Sequence, residues 1–176
     1  MGDFLDRVTG DQDIIRKLLS KIPGFGGYLD RQNRRMADQL LRQTVAKQYE
    51  EQWQRISGLQ RDLISHKGIQ YVDDLESAAI KLRQFIDKIK TATYGYAGFF
   101  DAVKINEDSL ERIYQYDLKL LEMVDEVTRA IDHVENAIAS SEGIEATIRN
   151  LTTTAQQCVT ALNQRSDAIM AVQASQ

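Results

Sequence analysis

The stretch "VENAIASSEGIEATI", residues 134–148, reads as one helix, a polar break and a second helix. Its centre, "SSEG" (140–143), gathers turn-forming residues and closes on glycine. The apolar residues on both sides recur every three or four positions, the spacing of a helix face. Counting outward before the break places residues 110, 113, 117, 120, 124, 127, 131, 134 and 138 on one face. After the break the same count gives 144, 148, 151, 155, 158, 162, 165, 169 and 172. The two series mirror each other about residue 141: Ile138 meets Ile144, Val134 meets Ile148, and Leu110 meets Val172. Such agreement predicts an antiparallel α-hairpin folded at Ser140–Gly143.

Two charged residues stand on these seams, and the mirror sets them opposite each other: Asp117 and Arg165. They are expected to form a buried ion pair that fixes register, with Tyr114 or Tyr116 near enough to help satisfy it. A polar site inside the bundle is the functional alternative.

Moving toward the N-terminus, a first long helix is predicted from about Leu29 to Lys67, with Met36, Leu40, Tyr49, Trp53, Ile56, Leu59 and Leu63 as its apolar stripe. Gly68 supplies a left-handed stop. A second helix carries Val72, Leu75, Ala79, Leu82, Ile86 and Ile89, a stripe widened by Ile80 and Phe85. Pairing these two sets Tyr49 opposite Ile86 and Trp53 opposite Leu82, so the second helix ends opposite Arg42. Asn106 is an N-cap for the third helix, with Glu107 and Asp108 in its first turn. Period-two alternation bounded by turns is absent. The fold class is therefore all-α: an antiparallel four-helix bundle of two long α-hairpins, preceded by a short amphipathic helix. Residues 1–28 form an N-terminal amphipathic segment and glycine–aromatic loop, and residues 29–176 the helical bundle domain.

Composition agrees, with one proline in 176 residues and 43% apolar residues. Charges interrupt every apolar run before it reaches the roughly 20 residues of a membrane span. The start "MGDFLDRVTGDQDIIRK" has no signal-peptide core, and Cys158 is the lone cysteine, so a cytoplasmic setting is expected. The net charge of −4 is uneven: twelve Lys and Arg against nine Asp and Glu up to residue 67, then ten against seventeen. The basic excess lies in 16–42, which makes one end attractive to anions.

Chemistry-bearing constellations are scarce. His66 and His133 do not follow a Glu by three residues, as di-iron bundles require. Zinc-ligand spacing is absent. "PGFGG" (23–27) lacks the spacing and terminal lysine of a phosphate loop. An acidic pI of about 5.3 speaks against nucleic acid. No catalytic, cofactor-binding or metal-binding residue is nominated, and the protein is read as non-enzymatic.

Topology gathers the unusual residues at one pole. The first helix leaves it, the second returns, and "YGYAGFFDAVKI" (94–105) therefore lies beside "IPGFGGYLD" (22–30). Phe25, Tyr28, Arg31, Arg34, Arg35, Tyr94, Tyr96, Phe99 and Phe100 are the candidate partner-binding residues. The aromatic residues of 94–100 can instead cap the core over Met36, Leu40 and Leu41. The segment "DIIRKLLSKI" (13–22) is amphipathic, and Ile14, Ile15, Lys17, Leu18 and Lys21 are candidates for a membrane surface. Docking on the protein's own core produces the same pattern.

"IPGFGGYLDRQNRRMADQLLR" and "YGYAGFFDAVKI…YQYD" resemble the motifs of a group of prokaryotic all-helical proteins that has no established activity. A looser likeness, in the "MGDF" start, short amphipathic helix and long hairpins, is to phage-shock-protein A and ESCRT-III-like proteins. That likeness implies peripheral association with the inner face of the membrane. The early proline and the glycine–aromatic stretch depart from its pattern. The combined expectation is an interaction or scaffold protein that meets a protein partner, its own copies or an anionic membrane surface. The alternative is a cytoplasmic protein-partner adaptor without membrane contact; an enzyme with a polar site inside the bundle is a third reading.

Overall fold

The computed structural model describes residues 11–29, 34–92 and 107–174. Among them the regular structure is helical: α1 (Asp11–Lys21), a 3-10 turn (Phe25–Tyr28), α2 (Arg34–Ser65), a second 3-10 turn (Ile69–Tyr71), α3 (Val72–Thr91), α4 (Glu107–Ser140) and α5 (Ile144–Ala174). No helix in the described residues is long and apolar enough to cross a membrane. The N-cap expected at Asn106 and the segment 94–105 lie outside the described residues, as does the expected start of the first long helix at 30–33.

All nine seam positions of α4 are buried, and so are seven of the nine on α5. Only Ile144 and Val172, at the two ends of the α5 seam, are partly open. Burial on this period turns two amphipathic stripes into one continuous apolar interface. At the turn, Glu142 N–H donates to the Ala137 carbonyl at 3.1 Å and Ser141 N–H to Ile138 at 3.2 Å. That pattern closes a helix through a residue in the left-handed region, and Ser141 takes it with φ of 58°. Gly143 follows with φ of 68°, and its carbonyl accepts the first bond of α5 from Thr147.

The α2–α3 connection closes in the same way, with one correction to the sequence reading. Gly68 N–H donates to the Leu63 carbonyl at 2.7 Å, but the left-handed residue is Lys67, at φ of 61°. Gly68 itself has φ of −95°. Its lack of a side chain serves proximity: a Cβ there would sit 2.8 Å from Leu63 Cδ2. The expected pairing of these helices is visible in contacts within one position of it. Tyr49 stacks on Phe85 with ring centroids 4.0 Å apart, and Arg83 lies over the half-buried Trp53 at 5.5 Å. Asp73 and Asp74 begin α3 and Lys88 and Lys90 end it, each sign matching the helix dipole.

Three apolar residues differ from expectation. The start of α2 buries Ala37, Leu41 and Val45, whereas Met36 is 48% exposed and Leu40 only partly covered. On α3, Phe85 is buried but Ile80 is 56% exposed. Each helix turns one stripe to the core, and these residues sit just past its edge.

Helix α2 packs against α3 and α4, and α5 packs against α3 and α4. Tyr49 reaches Leu120 and Arg55 reaches Asp132, so α2 and α4 run in the same direction. Among the described residues α3 and α4 do not make one of these close pairings. A four-residue turn joins only helices that lie side by side, which accounts for the length of sequence between Ala92 and Glu107. Helix α1 lies on α4 and the 3-10 turn on α2, burying Ile15, Leu18, Ile22 and Phe25.

Candidate functional site

Arg165 is the most deeply buried charge of the described residues, fully enclosed in the core. Its Nε donates to Asp117 Oδ1 at 2.5 Å and its Nη2 to Asp38 Oδ1 at 2.7 Å. Nη2 also stands 3.5 Å from Asp117 Oδ2. The second oxygen of Asp38 accepts from Arg42 Nε at 2.7 Å, and Arg42 Nη1 continues to the Ile89 carbonyl at 3.3 Å. Four charged side chains thus tie together α2, α4, α5 and the end of α3, with two positive charges against two negative. Arg34 is buried in the same region, and Tyr114 lies close enough for Asp117, Arg34 and Asp38 to act on its hydroxyl.

Burial sets the electrostatics of this cluster. Loss of water pushes the Asp117 carboxyl up to about 6, against the pull of Arg165 and with a further push from Asp38. For Arg165, burial disfavours the charge, but Asp117 and Asp38 outweigh it and raise the guanidinium pKa above its ordinary value. Burial, then Asp117, raises the Tyr114 phenol to about 12. Ionised partners held this closely form a lock: both oxygens of each carboxylate are engaged, and the planar guanidinium fork fixes their relative positions. Arg165 Nη1 makes no hydrogen bond among the described residues.

A second buried polar contact lies deeper along the bundle. Tyr49 Oη is 3.0 Å from the Leu120 carbonyl and 3.4 Å from Cys158 Sγ. The single hydroxyl proton of Tyr49 is shared between these two acceptors, the nearer Leu120 carbonyl and the Cys158 sulfur. Burial pushes that thiol up to about 11, well away from the thiolate that redox or nucleophilic chemistry needs.

No family model, curated protein or solved structure matches the chain. The site is therefore read from its own geometry.

Asp117 and Arg165, placed opposite each other by the seam mirror, are an ion pair in the structure. Sequence reasoning missed Asp38 and Arg42 as their partners. The signal was present in the i, i+4 spacing of the two on one helix and in the position of Arg42 opposite the end of the second helix. Of the candidate partner-binding residues, Phe25 requires a correction. It is fully buried, with its ring edge-on to Tyr114 at 5.9 Å, and belongs to the core. Tyr28 packs partly on that core, Arg34 is buried and Arg35 is exposed. Arg31, Tyr94, Tyr96, Phe99 and Phe100 lie outside the described residues.

The candidate membrane-surface residues divide by face. Ile15 and Leu18 are buried against the protein's own core and Ile14 is partly so. Lys17 stays at the surface, 3.0 Å from Asp13, and Lys21 reaches Asp125 at 3.8 Å. In this arrangement Ile15 and Leu18 are turned away from any lipid. His66 and His133 are both exposed, and His66 Nδ1 lies 2.8 Å from the carbonyl of Asp62. Among the described residues no group of three or more His, Cys, Asp and Glu is arranged to hold a metal ion.

Proposed function

We propose that this chain is a non-enzymatic interaction or scaffold protein, an antiparallel four-helix bundle of two α-hairpins that binds a protein partner through the pole formed by residues 23–42 and 94–105. The observation that carries the reading is the contrast at the described part of that pole. Its base is held rigid by the Asp38–Arg42–Asp117–Arg165 lock and by Phe25 against Tyr114. Its rim presents Arg35 together with Leu19, Met36 and Met170, which are 41%, 48% and 55% exposed. A rigid base under exposed apolar and basic side chains suits recognition, because the backbone that carries them needs no ordering on docking. A cytoplasmic setting belongs to the same reading.

The burial of Ile15 and Leu18 favours a protein partner over direct lipid contact, since membrane binding by α1 requires it to leave the core. Pull-down with the full chain tests this. A partner retained in high salt should be lost in Arg35→Glu and Met36→Asp, two exposed sites, with circular dichroism checking that each variant keeps its helices. Retention by both variants sinks the pole as the binding surface. Flotation with anionic vesicles, with and without residues 1–22, tests the peripheral membrane version; lipid binding lost with that segment would restore it.

A further inference from the structure

Helix α5 carries a second heptad seam, opposite the buried one. Shifting the buried series by two positions gives 146, 150, 153, 157, 160, 164, 167, 171 and 174. Two residues turn a helix by roughly 200°, and all nine of these positions are exposed. Their side chains are alanine, threonine, asparagine or glutamine except at Asp167, and residues 150–164 contain no charge at all. The neighbouring helices differ: α3 exposes Asp73, Asp74 and Lys88, with Lys81 half-buried, and α4 exposes Lys119, Glu122, Asp125 and Glu126. Charge is depleted where surface becomes the centre of an interface, and a 3.5-residue repeat is the spacing that a second helix reads.

We propose that this face docks a second copy of the chain, α5 against α5, antiparallel about a twofold axis at Thr160. The seam is self-complementary about that residue. Ala146 meets Ala174, Thr153 meets Asp167 and Gln157 meets Gln164 of the second copy. Arg149, 73% exposed, comes within reach of Asp167. A parallel pairing would instead set the two Asp167 side chains against each other. The flanks agree with the antiparallel choice. Lys119, Glu122 and Glu126 of α4 share one groove with Gln157, Thr160 and Gln164, so they border the same face. The hairpin mirror places Glu122 level with Thr160. The twofold therefore sets each Lys119 beside Glu126 of the other copy, and the two Glu122 near the axis between the lysines. From the α3 side the half-buried Lys81 lines the same groove, and Lys88 is held on Asn163 Oδ1 at 3.1 Å.

The seam centres on Thr160 and meets the pole only at its end, where Ala171 and Ala174 run beside Met170, so the two surfaces are tested at different residues. The test is sedimentation equilibrium of the full chain up to about 1 mM. A reversible dimer is expected, and a monomer throughout that range overturns the proposal. Gln157→Lys with Gln164→Lys places like charges face to face and should weaken the dimer at least about tenfold with an unchanged circular dichroism spectrum. An unaltered dimer overturns the face. Thr153→Lys sets the direction: it tightens an antiparallel dimer, by meeting Asp167, and weakens a parallel one. A mixture of Gln157→Cys and Gln164→Cys chains should form the mixed disulfide on oxidation. Cross-linking of Gln157→Cys to itself overturns the antiparallel arrangement.

Discussion

Replacing Arg165 by methionine keeps the length and most of the apolar volume of the side chain but removes the centre of the charge lock. Asp38 retains Arg42 at 2.7 Å, whereas Asp117 loses the guanidinium nitrogens at 2.5 and 3.5 Å. A carboxylate left alone in the core is costly, about 3–5 kcal/mol when it stays ionised. It has an escape, which is to take up a proton. The Asp117 carboxyl is already raised to about 6 with Arg165 beside it, so removal of that cation carries it higher still. In the unfolded chain the same group titrates near 4. Between those values the folded variant holds one more proton than the unfolded one. Its stability therefore falls as pH rises, by about 1.4 kcal/mol per pH unit. From pH 5 to pH 7 the variant loses up to about 3 kcal/mol, of which the parent, with Asp117 at about 6, shares about half. The expected result is a variant only moderately destabilised in acid and severely destabilised at neutral pH. Urea unfolding followed by circular dichroism at a series of pH values measures it. Asp117→Asn in the Arg165→Met background should flatten the profile, since the titrating group is gone. A loss of stability that is the same at pH 5 and pH 7, or below about 1 kcal/mol at neutral pH, would refute the account of a buried lock.

Tyr49→Phe keeps the stack on Phe85 but leaves the Leu120 carbonyl without its hydroxyl; denaturant unfolding should show a loss of about 1–2 kcal/mol. At the α2–α3 connection, Lys67→Gly relieves a left-handed lysine and should gain up to about 1 kcal/mol, as read by thermal unfolding. Gly68→Ala should do the opposite, costing about 1–3 kcal/mol, because the new Cβ meets Leu63 at 2.8 Å; equal effects of the two changes would reverse the assignment of roles. Cys158, buried with its thiol raised to about 11, should react with a thiol reagent only at the rate of unfolding, and rapid labelling of the native protein would contradict its placement.

The second hairpin was legible in sequence because a heptad seam repeated on both sides of a turn names the face that each helix buries. Counting either series one position off would turn it by about 100° round its helix and move Asp117 off Arg165. The Asp117–Arg165 pair came with that register for the same reason. The first helix was less readable: Met36 and Ala37 both fit a loose three-four count, and which of them faces inward depends on the helices that surround it. The amphipathic N-terminal segment was ambiguous in a stricter sense. An apolar face at Ile15 and Leu18 is equally suited to lipid and to the groove it occupies on α4, and sequence holds no term that separates them.

By itself, then, the sequence determined what local periodicity controls: the helices, the close turns near residues 66–68 and 140–143, and the contacts between helices joined by those turns. Tertiary structure decided what depends on groups far apart in the chain. It brought Asp38 and Arg42 of α2 to Arg165 of α5, put the hydroxyl of Tyr49 between Leu120 and Cys158, and set Lys67 rather than Gly68 in the left-handed position. Periodicity says which face of a helix is buried. Which charges meet inside is settled by the helices that come to lie against that face, because a buried charge is stable only where its partner arrives.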